Sequence, residues 1–247
     1  MIDTESARLT PALTNLRVKI FADGADRAAI VSLAQNPLIK GFTTNPTLMN
    51  KAGIRDYEAF ARDLLAVIPG YPISFEVFAD DNDEMLRQAR KIATWGENVY
   101  VKIPVTNTKR ETTAPVIRAL TQAGTRVNVT AIMTVAQVRR VCAALEGGAP
   151  ASVSIFAGRI ADTGRDPLPI VSDALAVIAA YPGVELIWAS PREVLNVFHA
   201  DSIGAHIITV TNDLLAKLEL VGKNLDDFSL DTVKMFANDA AKAGFVL

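Results

Sequence analysis

The sequence predicts an α/β fold, a (β/α)8 or TIM barrel with an extra C-terminal helix. Eight short β-rich runs recur along 247 residues, about 21 to 33 residues apart, close to the length of one strand-plus-helix unit. The segments between them place apolar residues at i, i+3, i+4 and i+7, with glycine at the exit. Eight is also the strand number that closes a parallel barrel. The alternative is an open doubly wound sheet, which normally carries a glycine-rich turn after its first strand; FADGADRAA is not such a turn.

In chain order, VKIFAD (18–23) ends in Asp23, and GFTT (41–44) brings Thr43 and Thr44 up to Asn45 and Pro46. ISFEV (73–77) and NVYVKI (98–103) follow, separated by the helical pattern NDEMLRQARKIATWG. RVNVT (126–130) leads through TVAQVRRVCAALEGG to SVSIF (152–156), then ELIWA (185–189) and HIITV (206–210). A further helix is expected at about 229–243: Ser229 caps it, Val233, Phe236, Ala237 and Ala240 form its apolar stripe, and Gly244 ends it. No low-complexity linker breaks the alternation, so residues 1–247 are expected to form one domain. The barrel then covers about 18–222, and the last helix packs over a barrel end or onto a neighbouring subunit.

Composition narrows the function. With 25 Lys+Arg against 27 Asp+Glu, the formal net charge is −2. That leaves no basic excess for a nucleic-acid backbone. Half the residues are apolar and 21% charged, a globular balance. Cys142 is the only cysteine, so no intramolecular disulfide or cysteine-based metal cluster can form. His199 and His206 are the only histidines and lie in separate elements. A metal-dependent aldolase needs several such ligands, so no metal is expected. The opening MIDTESARLTPALTNL lacks a basic start followed by an apolar core, and no apolar stretch reaches the roughly 18 residues of a membrane span. The expectation is a soluble cytoplasmic protein without a membrane or nucleic-acid partner.

Alternation along each strand sorts side chains between the helices and the barrel interior. In NVYVKIPV the valines and Ile103 share the helix-facing phase, so Lys102 points inward. Glu76, Asn128, Thr130, Ser154, Phe156 and Ser190 fall on the interior phase of their runs. Polar groups therefore gather at the strand ends where this fold builds its active sites. An amine buried there is a nucleophile, because desolvation disfavours the ammonium form. It can form a Schiff base with a carbonyl, given carboxylates such as Glu76 and Asp23 to move protons and Thr130 to position a water. A pair of Lys102 and Glu76 that merely fills the barrel is the competing reading. Arg159 and Arg192, beside Ser190 and a helix N-terminus, suit a phosphate; two loop arginines on the surface are the alternative.

FTTNPTL (42–48), VYVKIPVT (99–106), NVTAI (128–132), SIFAGRI (154–160) and WASPRE (188–193) together resemble the transaldolase family, in its small transaldolase/fructose-6-phosphate aldolase-like branch. The likeness runs from about residue 21 to about residue 213, with the five motifs in the family's order and spacing. It implies a barrel enzyme of carbohydrate metabolism, in the pentose phosphate pathway, acting on sugar phosphates through a Schiff base without a cofactor. Lys102 would form the Schiff base. Asp23 would serve carbon–carbon cleavage, and Glu76 with Thr130 and a water would serve carbinolamine formation and breakdown. Thr43, Asn45, Asn128 and Ser154 would hold the dihydroxyacetone hydroxyls, and Arg159, Ser190 and Arg192 the phosphate. Transaldolases resemble this chain in Glu76 and Phe156, where fructose-6-phosphate aldolases have Gln and Tyr. Transfer is thus expected over release of free dihydroxyacetone, with the aldolase as the alternative and a non-catalytic sugar-phosphate-binding protein as a further one. Pro191 departs from the family's usual aromatic. The resemblance also implies a homo-oligomer, a pentamer or decamer being the candidate states.

Overall fold

The computed structural model describes residues 10–244; most of the opening segment and the last three residues, Phe245, Val246 and Leu247, lie outside it. A short helix α1 (Pro11–Thr14) precedes the first strand, β1 (Lys19–Asp23). Then come α2 (Arg27–Leu33), β2 (Ile39–Thr43), α3 (Pro46–Lys51), α4 (Tyr57–Val67), β3 (Ile73–Glu76), α5 (Asn82–Ala93) and β4 (Val99–Pro104). The alternation continues through α6 (Ala114–Gln122), β5 (Val127–Ile132), α7 (Val135–Leu145), β6 (Ala151–Ile155), α8 (Ala157–Ala161) and α9 (Pro167–Ile178). It ends with β7 (Val184–Trp188), α10 (Leu195–Ser202), β8 (Ile207–Thr211) and α11 (Asn212–Ala216). A 3-10 turn (Lys217–Leu220) and α12 (Leu225–Ala243) follow.

All eight expected runs are strands, and they close in sequence order with every pairing parallel. Local chemistry sets the helix starts. Asp26, Asn45, Asp56, Asp81 and Asp166 each accept a backbone N–H of the first turn, and Thr134 and Gln137 form a reciprocal capping box. On β4, Val99, Val101 and Ile103, with Val105 just past the strand's end, are buried on the helix-facing side, as alternation requires. Inside the barrel Phe21, Ile187, Ala189 and Ile207 form a buried apolar cluster. Gly41 makes room for it, since a Cβ there would lie 2.5 Å from the Phe21 ring. A register shift on β5 between Val129 and Ile132, with Ala131 at φ 61°, bulges the strand beside Thr130.

Contacts divide the chain into two compact units. Leu16–Ala216 is the barrel. The other unit holds α1, the 3-10 turn and α12. Helix α12 starts earlier than its sequence suggested: Asn224, not Ser229, is the cap, accepting from the N–H groups of Asp226 and Asp227. Ser229 lies inside the helix because Asn224, five residues upstream of it, already meets the free donors of the first turn. The helix ends at Gly244 in the left-handed region, as expected. None of its residues is buried, and Val233 and Phe236 are more than half exposed. Among the described residues no helix is long and apolar enough to cross a membrane.

Candidate active site

The C-terminal strand ends of the barrel surround a cavity of about 580 Å³. Asp23, Thr43 and Glu76 are the last residues of β1, β2 and β3, and register sets Glu76 beside Lys102 and Lys102 beside Asn128. The cavity is lined by every residue the sequence nominated: Asp23, Thr43, Asn45, Glu76, Lys102, Asn128, Thr130, Ser154, Phe156, Arg159, Ser190 and Arg192.

Lys102 is buried, 7% exposed, and its amine has two partners. Nζ donates to the Thr44 carbonyl at 3.0 Å and lies 3.3 Å from Glu76 Oε2. A buried lysine is costly unless paired in this way. Asp23 sits nearby as the acceptor of two side chains, Thr43 Oγ1 at 2.7 Å and Asn45 Nδ2 at 3.3 Å. Burial pushes its carboxyl above the usual aspartate range, while the charge of Lys102 and the bonds from Thr43 and Asn45 pull the other way. Asn45 is locked in place because its Oδ1 also caps α3, accepting from Leu48 N–H at 3.0 Å.

Deeper in the barrel, fully buried Asn128 bridges two strands: its amide donates to Ser74 Oγ at 3.0 Å and accepts from Ser154 Oγ at 2.7 Å. Thr130 Oγ1 is buried, and it finds no hydrogen-bond partner among the described residues. At the opposite wall the Arg159 guanidinium lies over the Phe156 ring at 5.2 Å. Arg192 is tied to Asp162, with Nε donating to Oδ1 at 3.0 Å. Both arginines are exposed at the cavity mouth. Ser190 is held at φ 60°, and Gly158 permits this: a Cβ there would lie 1.6 Å from the Ser190 carbonyl oxygen.

The sequence missed several contributors. The Thr44 carbonyl, Ser74, Thr209 and Asp162 each bond a nominated residue. Ser74 and Thr209 were visible in principle, as they share the interior phase of ISFE and IITVT. Nothing local marks a backbone carbonyl such as Thr44 as a partner for an amine 58 residues away. His206 Nδ1 accepts from Leu186 N–H at 3.1 Å, and His199 lies on α10 near the Trp188 ring. Among the described residues no group of three or more His, Cys, Asp or Glu is placed to hold a metal ion.

Residues 20–247 match the family model described as Transaldolase/Fructose-6-phosphate aldolase. A "Probable transaldolase" of Streptococcus equi subsp. zooepidemicus is 37% identical over 202 residues, which are 81% of this chain and 90% of that protein. One of the same name from Streptococcus pyogenes serotype M1 matches equally well, at 37% over 202 residues, again 81% and 90% of the two chains. Among solved structures, an HpcH/HpaI aldolase/citrate lyase family protein from Burkholderia cenocepacia J2315 superposes with a TM-score of 0.59 at 14% identity, over 88% of this chain and 98% of that one. KGPDC from Streptococcus mutans gives 0.56 at 11%, over 79% and 88%. At such identities these structures speak for the fold alone. The family match and the streptococcal identity do more: the chain belongs to the Transaldolase/Fructose-6-phosphate aldolase family.

Proposed function

We propose that the protein is a transaldolase that moves a dihydroxyacetone unit from a ketose phosphate, of the fructose 6-phosphate or sedoheptulose 7-phosphate type, to an aldose phosphate through a Schiff base on Lys102. The observation that carries this reading is the buried Lys102 amine, 3.3 Å from Glu76 Oε2, in one cavity with Asp23 and with two arginines at its rim.

The amine adds to the ketose carbonyl, and the carbinolamine loses water to give an iminium. Glu76 moves the protons of that step, with a water positioned by Thr130 Oγ1, whose hydrogen-bonding capacity no described residue takes up. Asp23 accepts the proton of the hydroxyl on the leaving carbon of the bond that breaks, that carbon becomes the aldehyde carbonyl, and the electron pair of the bond passes into the iminium. The aldose phosphate leaves, and an enamine stays on Lys102. An incoming aldose phosphate reverses these steps. Burial makes Asp23 a stronger base than an exposed carboxylate, which suits this exchange. Thr43, Asn45, Asn128 and Ser154 hold the hydroxyls of the bound unit. Arg159, Arg192 and Ser190 hold the phosphate. Phe156 presents no hydroxyl to the enamine, so transfer is favoured over release of dihydroxyacetone.

Borohydride reduction in the presence of fructose 6-phosphate is expected to leave a covalent adduct, and Lys102→Ala to abolish it; an adduct that persists in the variant refutes the assignment. Glyceraldehyde 3-phosphate formation, followed with and without erythrose 4-phosphate, separates the two chemistries. Product that needs the acceptor means a transferase; equal rates mean an aldolase.

The reaction is assigned to the cytoplasm, on soluble sugar phosphates, in a homo-oligomer. The exposed apolar side chains of α12, Val233 and Phe236 among them, are the candidate assembly surface. Light scattering is expected to show a smaller particle for Phe236→Glu than for the unmodified chain.

A further inference from the structure

The ladder between β2 and β3 advances two residues per step. Phe42 N–H donates to the Pro72 carbonyl at 2.9 Å and Thr44 N–H to the Ser74 carbonyl at 3.2 Å. The next donor in that series is residue 46, a proline with no N–H to give. In the same parallel pattern the Glu76 N–H is due to meet the Thr44 carbonyl, but that bond is not formed, and the oxygen accepts from Lys102 Nζ at 3.0 Å. Glu76 therefore faces β2 with an N–H and a carbonyl that the strand does not serve, and burying such groups unpaired is costly.

One side chain serves both. Tyr57 Oη accepts from the Glu76 N–H at 2.7 Å and donates to the Glu76 carbonyl at 3.0 Å. Tyr57 is the first residue of α4, and its ring stands among Phe75, Phe78 and Trp95, with centroids 6.0, 4.7 and 5.2 Å away. That packing fixes the phenol at the point where the two strands part. Burial pushes its hydroxyl well above the ordinary tyrosine value, so the proton that reaches the Glu76 carbonyl stays in place.

We infer that Tyr57 is a positioning residue for Glu76: its hydroxyl stands in for a residue of β2, fixes the peptide that carries the carboxylate, and leaves the Thr44 carbonyl to the Lys102 amine. The inference rests on the proposed roles of Lys102 and Glu76. Nothing in the sequence singled out Tyr57.

The test is a double-mutant cycle of Tyr57→Phe and Glu76→Gln, read as the single-turnover rate of borohydride-trapped adduct formation together with kcat and KM. Tyr57→Phe keeps the ring and removes only the hydroxyl. It is expected to lower the adduct rate and kcat by about tenfold with KM within about twofold. In the Glu76→Gln background the same change is expected to cost less than about twofold, because the hydroxyl acts through Glu76. Phe78→Leu, which disturbs the same aromatic group without touching the hydroxyl, is expected to leave kcat within about twofold. Equal losses in both backgrounds, or a Phe78→Leu loss that matches Tyr57→Phe, overturn the positioning role while Lys102→Ala still abolishes the adduct. An adduct that survives Lys102→Ala overturns the Schiff-base reading and this inference with it. Should Tyr57→Phe fail to fold, amide exchange in the unmodified enzyme decides: a protected Glu76 N–H is expected, and rapid exchange refutes the bond to Tyr57.

Discussion

Thr209 Oγ1 on β8 lies 2.5 Å from Thr43 Oγ1 on β2, and Thr43 Oγ1 lies 2.7 Å from Asp23 Oδ1 on the strand between them. A hydroxyl has one proton to give. With Asp23 ionised, Thr43 gives that proton to the carboxylate, so Thr209 is the donor in the other bond. Three neighbouring strands thus share one directed chain of hydrogen bonds that ends on the carboxylate proposed to break the carbon–carbon bond.

Thr43→Val removes a bond that favours the ionised carboxylate. The Asp23 limb of the kcat–pH profile is then expected to move to higher pH, since fewer hydrogen bonds to the charged form raise a carboxylate pKa. Turnover is expected to fall by about tenfold, the scale of one lost charge-assisted hydrogen bond. Thr209→Val leaves the Thr43–Asp23 bond in place, and its expected loss is smaller, about two- to fivefold. A profile for Thr43→Val that coincides with the parent's refutes this coupling.

Asp23 also links stability to pH. Its folded-state pKa is raised, chiefly by burial, so the folded chain holds a proton there more tightly than the unfolded chain. The stability this contributes is complete below the unfolded aspartate pKa, near 3.9, and is lost as pH rises through the folded value. Asp23→Asn is expected to match the parent's Tm in acid and to exceed it at neutral pH, while turnover collapses. Tm curves between pH 3.5 and 8 check this. A gain confined to acid contradicts it.

The proposed phosphate wall depends on one close approach. In Gly158→Ala the new methyl lies 1.6 Å from the Ser190 carbonyl oxygen, so a backbone must move. Denaturant unfolding is expected to show a loss of about 3 kcal/mol, the upper range for overpacking. Ser190→Gly works in the opposite sense. It relieves a non-glycine residue at φ 60° and is expected to stabilise by about 1 kcal/mol, while KM for a phosphorylated ketose rises as the hydroxyl is lost.

In its proposed role Arg192 has to loosen from Asp162 to take a phosphate. The pair is half exposed, 48% and 52%. Asp162→Asn is therefore expected to change stability by no more than about 0.5 kcal/mol. KM is expected to fall for a phosphorylated ketose and to stay unchanged for an unphosphorylated one. Arg192→Ala is expected to raise the phosphorylated-substrate KM by about tenfold or more. Equal effects on both substrates argue against phosphate binding at this arginine.

The sequence by itself determined the eight strands, their order, and which side chains turn inward. Period-two alternation is a local property: VYVKIPV can hide its valines against helices only by sending Lys102 inside. The same logic put Glu76, Asn128, Thr130 and Ser154 in one cavity, and the five motifs named the family that the comparisons show. What alternation cannot state is which inward groups meet, because that follows from register and closure between residues far apart in the chain. Closure sets the Thr44 carbonyl under Lys102, Thr209 behind Thr43, and Ser74 against Asn128. Tyr57 is the clearest case. In sequence it is one more apolar-phase residue of a helix, and it gains its role only where two strands part at Pro46 and leave a backbone N–H and carbonyl that some donor and acceptor must satisfy.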